Sequence, residues 1–283
     1  MADMAKLGGG REKQSGTVNK PNNAHGKQAW RLLDIELDDP ILNLAVEEAI
    51  LEKVGAGESP NTFRFWRNLR PVAVVGKFQI PELEVNKEAC KRYSAAVVRR
   101  FTGGGTVYND IGNLNYSIAI RRDNPLVSGM IAEMAPRLCY GVVEGLRMLG
   151  LNAEFEHEGV YIHINGKKIS GTAGIVKRTV VFIHGTLLVY SDTKKLKEIL
   201  DVPPYPSTSE PKRFVRSVRR DVTSIRAELG REVTMNDVKE AIRNGYAKAL
   251  GIELKLGRLL ESELLLSRDI ASSRYDEIMI LSP

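Results

Sequence analysis

The chain has 283 residues, 43% hydrophobic and 27% charged, which suits a soluble folded domain and rules out a fibre or a wholly disordered chain. Its 41 Lys and Arg against 35 Asp and Glu leave a net charge of +6, favouring anionic partners without choosing among phosphates, nucleotides, nucleic acids and acidic proteins. Cys90 and Cys139 have no CxxC or Cys/His spacing, excluding a disulfide framework or zinc finger, and no apolar run approaches the ~20 residues of a membrane span or forms an export signal, so a cytoplasmic location away from membranes is expected.

Residues 1–28 are rich in Gly, Asn, Lys and Gln and cannot offset the entropy of ordering, so a disordered basic tail is expected there and the folded domain over 29–283. In ILNLAVEEAILEKV apolar residues recur at 41, 45, 49 and at 42, 46, with Pro40 suited to a first helical turn and Gly55 to a stop. TFRFWR (62–67) and PVAVVG (71–76) read as strands split by a turn, and a polar helix near 86–93 leads into AAVVRR. NYSIAI alternates as a half-buried strand. A long helix follows, with apolar residues at 131, 134, 138, 142, 146 and 149 ahead of Gly150, and Pro136 near its first turn or at a kink. VYIHI and KKISG flank Asn165-Gly166, a strong hairpin signal, and TVVFIHGTLLVY extends the meander over about 151–190. Thr234 and Asp237 form a capping box before the face Val238, Ile242 and Ala249, and a last helix starts near Ser262. No period of 20–50 residues is present, which excludes solenoids and propellers. The pattern predicts α+β: antiparallel strands mixed with helices.

Three stretches offer chemistry. In Arg99-Arg100-Phe101-Thr102-Gly103-Gly104-Gly105 a strand ends on two guanidiniums and breaks into three glycines, whose bare amides suit an anion nest; a flexible surface turn explains the same residues. The spacing fits neither a Walker loop nor a GxGxxG turn. Asn109-Asp110-Ile111-Gly112-Asn113 follows, able to orient a ligand but equally the composition of a tight turn. Strand alternation sends Lys167 and Lys168 to opposite faces, one inward, where an ammonium needs an anionic partner. A lone His184 inside an apolar strand is more often a satisfied core residue than a catalyst.

RRFTGGGTVYNDIGNLNYS resembles the RRxxGGGxVxHDxGNxNxS signature of lipoate-protein ligases, and GKKISGTA followed by HGTLLV resembles their lysine hairpin and next strand. NLAVEEAIL, FRFWRN, VAVVGKFQ, SVRRDVTSI and the closing SRY extend the likeness over about 31–277. The resemblance implies the biotin/lipoate ligase catalytic fold, related to class II tRNA synthetases: a mostly antiparallel sheet flanked by helices. It implies a two-step reaction in which ATP and lipoate give lipoyl-adenylate, followed by transfer to a lysine of an acidic acceptor, a lipoyl domain of 2-oxoacid dehydrogenases or the glycine cleavage H protein. Lys168 is then the catalytic cation, facing carboxylate and α-phosphate. Arg100, Gly103, Gly104, Gly105, Val74, Val75, Gly76, Gln79, Asn113, His184 and Gly185 are the implied substrate-binding residues. Val107, Tyr108, Asp110, Ser170 and Thr172 are implied, with Lys168, at the nucleotide. Mg²⁺ is the implied cofactor, riding on ATP oxygens with Asp110 and Asn113 ordering the loop or assisting it, and no protein metal ligand is assigned.

The likeness breaks at Asn109, where the family usually has His, and at Val160-Tyr161, where it usually has Asn-Asp. The early end after SRY resembles the shorter archaeal ligases, which implies a separate small accessory subunit. Two other classes compete. An octanoyl or lipoyl transferase on the same fold needs no ATP but uses a cysteine near the lysine hairpin, and EFEHEGVYIHINGKK contains none. A nucleic-acid or protein binding module could use KRFVRSVRR (212–220), yet no recognised binding motif accompanies it and aromatics are only 6%. The biotin ligase loop GRGRxGR is missing. The ligase reading therefore leads, without a nucleic-acid partner.

Overall fold

The computed structural model of the chain describes residues 28–129, 131–156, 160–201 and 215–275. The tail expected over 1–28 lies outside the described residues except for Gln28, which opens the first strand. Strand β1 (Gln28–Asp34) leads to α1 (Pro40–Ala56), where the Asp39 carboxylate accepts from Ile41 N at 2.8 Å and Pro40 occupies a first-turn position that needs no N–H. The helix ends at Gly57, in the left-handed region at φ 78°, two residues beyond the expected stop. Gly55 instead lets β10 (Val180–Leu188) approach: a Cβ there would lie 3.0 Å from Val180 Cγ1.

The chain continues through β2 (Thr62–Trp66), β3 (Val72–Val75), α2 (Lys87–Arg92), β4 (Ala96–Arg99), β5 (Val107–Asn109), β6 (Asn113–Arg121), α3 (Ile131–Met148), β7 (Ala153–Glu156), β8 (Tyr161–Ile164) and β9 (Lys167–Val176). After β10 come α4 (Thr193–Leu200), α5 (Ile225–Leu229), α6 (Met235–Leu250), β11 (Ile252–Leu256) and α7 (Glu261–Arg274). Eight strands form one sheet in the order β11-β1-β2-β6-β10-β9-β8-β7, parallel only at the two β1 pairings, and β4-β3-β5 form a second, small sheet. Consecutive β2 and β3 thus lie in different sheets, and the turn between them is a crossover. The 151–190 meander is present in order, and Asn165 and Gly166, at φ 51° and 76°, make its two-residue turn.

Helices α3 and α6 cover one face of the large sheet through Leu138, Val142, Leu146, Val238, Ile242 and Tyr246. Helix α1 lies on the other, with Val46, Ile50 and Val54 against Leu33, Ala119 and Phe182. Its opposite flank, Leu44, Ala45 and Ala49, packs on Trp66, on Val72, Val74 and Val98 of the small sheet, and on Ile270 and Tyr275. An inner helix of this kind needs apolar residues all round, which is why its sequence exceeds a single stripe. The same covering corrects the half-buried reading of NYSIAI: β6 is buried on both faces from Asn113 to Ile120. Pro136 sits inside α3. The Thr234/Asp237 capping box is formed. None of the described helices is long and apolar enough to cross a membrane.

Candidate active site

The small sheet ends in the glycine segment, and its two arginines build that segment. Arg99 Nη1 donates to the carbonyls of Gly76 (3.1 Å) and Gln79 (2.7 Å). Arg100, 5% exposed, donates to the carbonyls of Val74 (3.1 Å), Gly103 (2.5 Å) and Gly105 (2.9 Å) and to Thr102 Oγ1 (3.0 Å). The solvated-turn alternative fails, since both guanidiniums are engaged by backbone. Burial lowers the Arg100 pKa to about 10, still charged at neutral pH. Gly76 is needed where it stands because a Cβ would lie 2.1 Å from the Gly104 carbonyl oxygen.

Gln79 and Ser217 brace the loop from outside. Gln79 Oε1 accepts from Gly76 N (2.9 Å) and Thr106 Oγ1 (2.9 Å), while its Nε2 donates to Val215 O and Ser217 Oγ (3.1 Å each). Ser217 Oγ accepts from Thr106 N (2.7 Å) and donates to the buried Glu84 carboxylate, which also takes Ser217 N (3.1 Å) and Arg219 Nη2 (3.3 Å). Residues 215–222 therefore form a strap across the glycine segment, and its far end is tied to the hairpin by Lys168 N to Asp221 O (2.8 Å) and Thr223 N to Lys168 O (3.0 Å).

Alternation divides the hairpin lysines as expected: Lys167 is exposed and 3.8 Å from Glu228, whereas Lys168 points inward. The inward ammonium lines two adjoining cavities of about 410 and 580 Å³. The expected anionic partner is missing from the described residues: burial first, then the charges of Arg220, Arg100 and Arg219, lower the Lys168 pKa to about 8. Glu198, Asp201 and Asp221 line the second cavity, yet none of them is ion-paired with Lys168, and an ammonium so placed suits an anionic ligand.

The first cavity runs from Lys168 past Gly104, Gly105, Thr172, Ala173 and Gly185 to an end formed by Leu44, Glu47, Trp66, Val74 and His184. There Trp66 Nε1 and His184 Nδ1 donate to the two Glu47 oxygens at 2.7 and 2.8 Å, and His184 Nε2 bonds Thr102 Oγ1 at 2.7 Å. Burial pushes the Glu47 pKa up, but the His184 charge and hydrogen bond, Arg64 and Trp66 outweigh it and hold Glu47 below the usual range. His184 is thus both hydrogen-bonded at each nitrogen and part of the wall. The second cavity is lined by Val107, Tyr108, Lys168, Ser170, Leu196, Arg219 and Arg220 among others.

Several sequence candidates stand off these walls. Val75 faces the opposite side of β3, packed with Val85 and Cys90, and its neighbour Val74 takes the cavity face. Gly76, Gln79 and Gly103 shape the loop from behind. Asn113 donates to Asn109 and Asn115 (2.7 and 3.1 Å), and those two amides are the ones that reach the cavity. Asp110 accepts from Gly112 N and Asp192 N (2.9 Å each), so its carboxylate is engaged by backbone. The described residues contain no group of three His, Cys, Asp or Glu able to hold a metal by themselves, and Tyr161 stands where the resemblance expects an acid; the carboxylates that would face a Mg²⁺ carried on a nucleotide are Glu198, Asp201 and Asp221, which line the second cavity. Glu47, Trp66, Asn115, Ser217 and Arg220 went unread in the sequence. Glu47 left a trace, since it lies in helical register with Leu44 and Leu51, where a solvated acid does not belong.

The match of a family model decides the kinship: the lipoyl protein ligase A/B catalytic domain covers residues 39–247. The chain belongs to this family. Among its relatives is octanoyltransferase LipM of Anoxybacillus flavithermus, 29% identical over 272 residues, covering 88% of this chain and 96% of the relative. A lipoate-protein ligase A bound with ATP is similar in structure, at TM-score 0.74 and 28% identity over 87% of this chain and 95% of that one. So is a chain from the analysis of a bi-partite lipoate protein ligase and its E2 lipoyl domain from Thermoplasma acidophilum, at TM-score 0.74 and 28% identity over 87% and 93%. The lipoyl ligase fold, with its mostly antiparallel sheet, places the glycine segment and lysine hairpin on opposite walls of one recess.

Proposed function

We propose that this chain activates lipoate, or a related medium-chain acid, with ATP and transfers the acyl group to a lysine of an acidic lipoyl domain. The reading is carried by one observation: Lys168, ion-paired to no described acid, lines both of two adjoining cavities, one of them reaching Leu44, Trp66 and Val74, and no thiol lines either. In the first step a carboxylate oxygen would attack the α-phosphorus and the bond to pyrophosphate would break. In the second the acceptor amine would attack the carbonyl carbon, lose its proton to solvent and expel AMP. Charge grows on oxygens near Lys168 in both, which a fixed ammonium favours. Arg100 would keep the glycine amides aimed at the anhydride, and the Trp66, Leu44 and Val74 end would take the acyl tail. The ATP-bound relative supports nucleotide use, and the bi-partite Thermoplasma ligase supports a lipoyl-domain acceptor and a separate accessory subunit. The cytoplasm, where two unpaired cysteines persist, is the proposed setting.

ATP-independent octanoyl transfer is the second reading, favoured by the LipM relatives. A thioester route needs a reachable thiolate. The sequence has two cysteines; Cys139 is buried in α3 with its pKa pushed by burial up to about 12, and Cys90 is buried beneath the small sheet. Intact-mass spectrometry of an apo lipoyl domain separates the readings. Modification from lipoate only with ATP supports the ligase; modification from octanoyl carrier protein without ATP overturns it.

A further inference from the structure

The glycine segment owes its shape to Arg100, and Arg100 is itself aimed by a side chain behind the cavity wall. A trans peptide points its C=O and N–H in opposite directions, so a guanidinium that draws the Gly103 carbonyl behind the bend turns the Gly104 amide away from itself. Gly104 and Gly105 line the first cavity, and their amides donate to no described atom. They are free to meet an anion. The guanidinium is planar and its N–H groups are fixed relative to one another, so whatever holds Nε also aims Nη2 at the glycine carbonyls. Nε is held by Thr102 Oγ1, at 3.0 Å.

Thr102 is 1% exposed, and its hydroxyl has a second partner in His184 Nε2 at 2.7 Å. That ring has no freedom to turn. Its Nδ1 is bound to Glu47 at 2.8 Å, Phe182 packs edge-on against it at 5.2 Å between ring centres, and Trp66 Nε1 fixes the same carboxylate at 2.7 Å. One line of hydrogen bonds therefore runs from Glu47 on α1 through His184 and Thr102 to Arg100 and the glycine carbonyls. Glu47 and His184 border the cavity proposed for the acyl tail, so the line joins the wall beside the tail to the segment that faces the activated carboxylate. We propose that Thr102 is a positioning residue for acyl transfer: it passes the fixed geometry of Glu47 and His184 on to Arg100, which keeps the glycine amides aimed, so that Glu47 acts on the reaction through Thr102. This inference rests on the ligase reading above.

Single-turnover transfer from synthetic lipoyl-adenylate to an apo lipoyl domain, followed by intact-mass spectrometry of the full chain's product, tests it. Thr102→Val keeps the branched shape and removes the hydroxyl, and the maximal transfer rate should fall about tenfold or more, the loss of one charge-assisted contact. Thr102→Ser returns the hydroxyl and should restore the rate to within about threefold of the natural chain. Glu47→Gln should slow transfer as well. In the double variant with Thr102→Val the two losses should not multiply, because both cut the same line; a general loosening of the core would multiply them and serine would not mend it. Thermal melts by circular dichroism establish that each variant is folded in the assay, and Thr102→Ala takes the place of a valine variant that is not. A valine variant that transfers at the natural rate, a serine variant as slow as the valine one, or losses that multiply overturns the inference and leaves the ligase reading standing. A natural chain that cannot use the adenylate removes the ligase reading, and this inference with it.

Discussion

Replacing Lys168 by methionine should abolish turnover and at the same time make the empty protein more stable. The side chain is half-buried and its pKa falls from 10.5 to about 8 through burial and three arginines. At about 1.36 kcal/mol per tenfold change in proton affinity, holding it charged costs the ligand-free fold at most about 3 kcal/mol. Methionine keeps the length of the stem and drops the charge. The sign follows from the two protonation states. Below about 8 the lysine is charged both folded and unfolded, and the folded chain bears the full cost. Between about 8 and 10.5 the cost shrinks, and above 10.5 both states are neutral and the two proteins should melt alike. Thermal denaturation followed by circular dichroism should show Lys168→Met melting roughly 5 °C higher near neutral pH, with the gap closing in alkali. A variant that melts lower near neutrality, or a gap that alkali leaves unchanged, would refute the claim that this lysine is an uncompensated cation held for an anionic ligand.

Other expectations concern the walls. Since the bound anion needs the protonated lysine, ATP affinity measured calorimetrically should fall as pH rises through about 8. Gly76→Ala would press a methyl group onto the Gly104 carbonyl, and steady-state kinetics should show a raised KM in a protein that still melts cooperatively. Glu47→Gln leaves one of Trp66 Nε1–H and His184 Nδ1–H without an acceptor, so urea denaturation should show a loss of about 1–3 kcal/mol. Cys139→Ser combined with Cys90→Ser should retain acyl transfer in the mass-spectrometric assay; complete loss would restore the thioester route.

The sequence was most readable where local chemistry acts alone. Asn165-Gly166 demanded a hairpin, Thr234 and Asp237 a helix start, and three glycines after a strand a bend, because each depends on neighbours along the chain. What the sequence concealed depends on packing. NYSIAI looks half-exposed until two layers cover it, and Gly55 looks like a stop until Val180 arrives against it. Likewise the choice between Val74 and Val75 needs the register of a three-stranded sheet, and the strap residue Ser217 meets the glycine segment from more than a hundred positions away in the chain. Even so, periodicity alone placed one hairpin lysine inward; the sheet pairing says which.

Helix α1 also fixes a dimension. It touches the large sheet with one flank and the small sheet and α7 with the other, while Leu44 and Glu47 reach the recess. The two walls are therefore held apart by a rod roughly 10–12 Å thick that neither can compress. On the proposed reading, a longer or bulkier acyl tail would have to find its room among side chains such as Leu44, Trp66 and Val74, and the range of acids would be set by a few exchangeable groups and not by breathing of the scaffold.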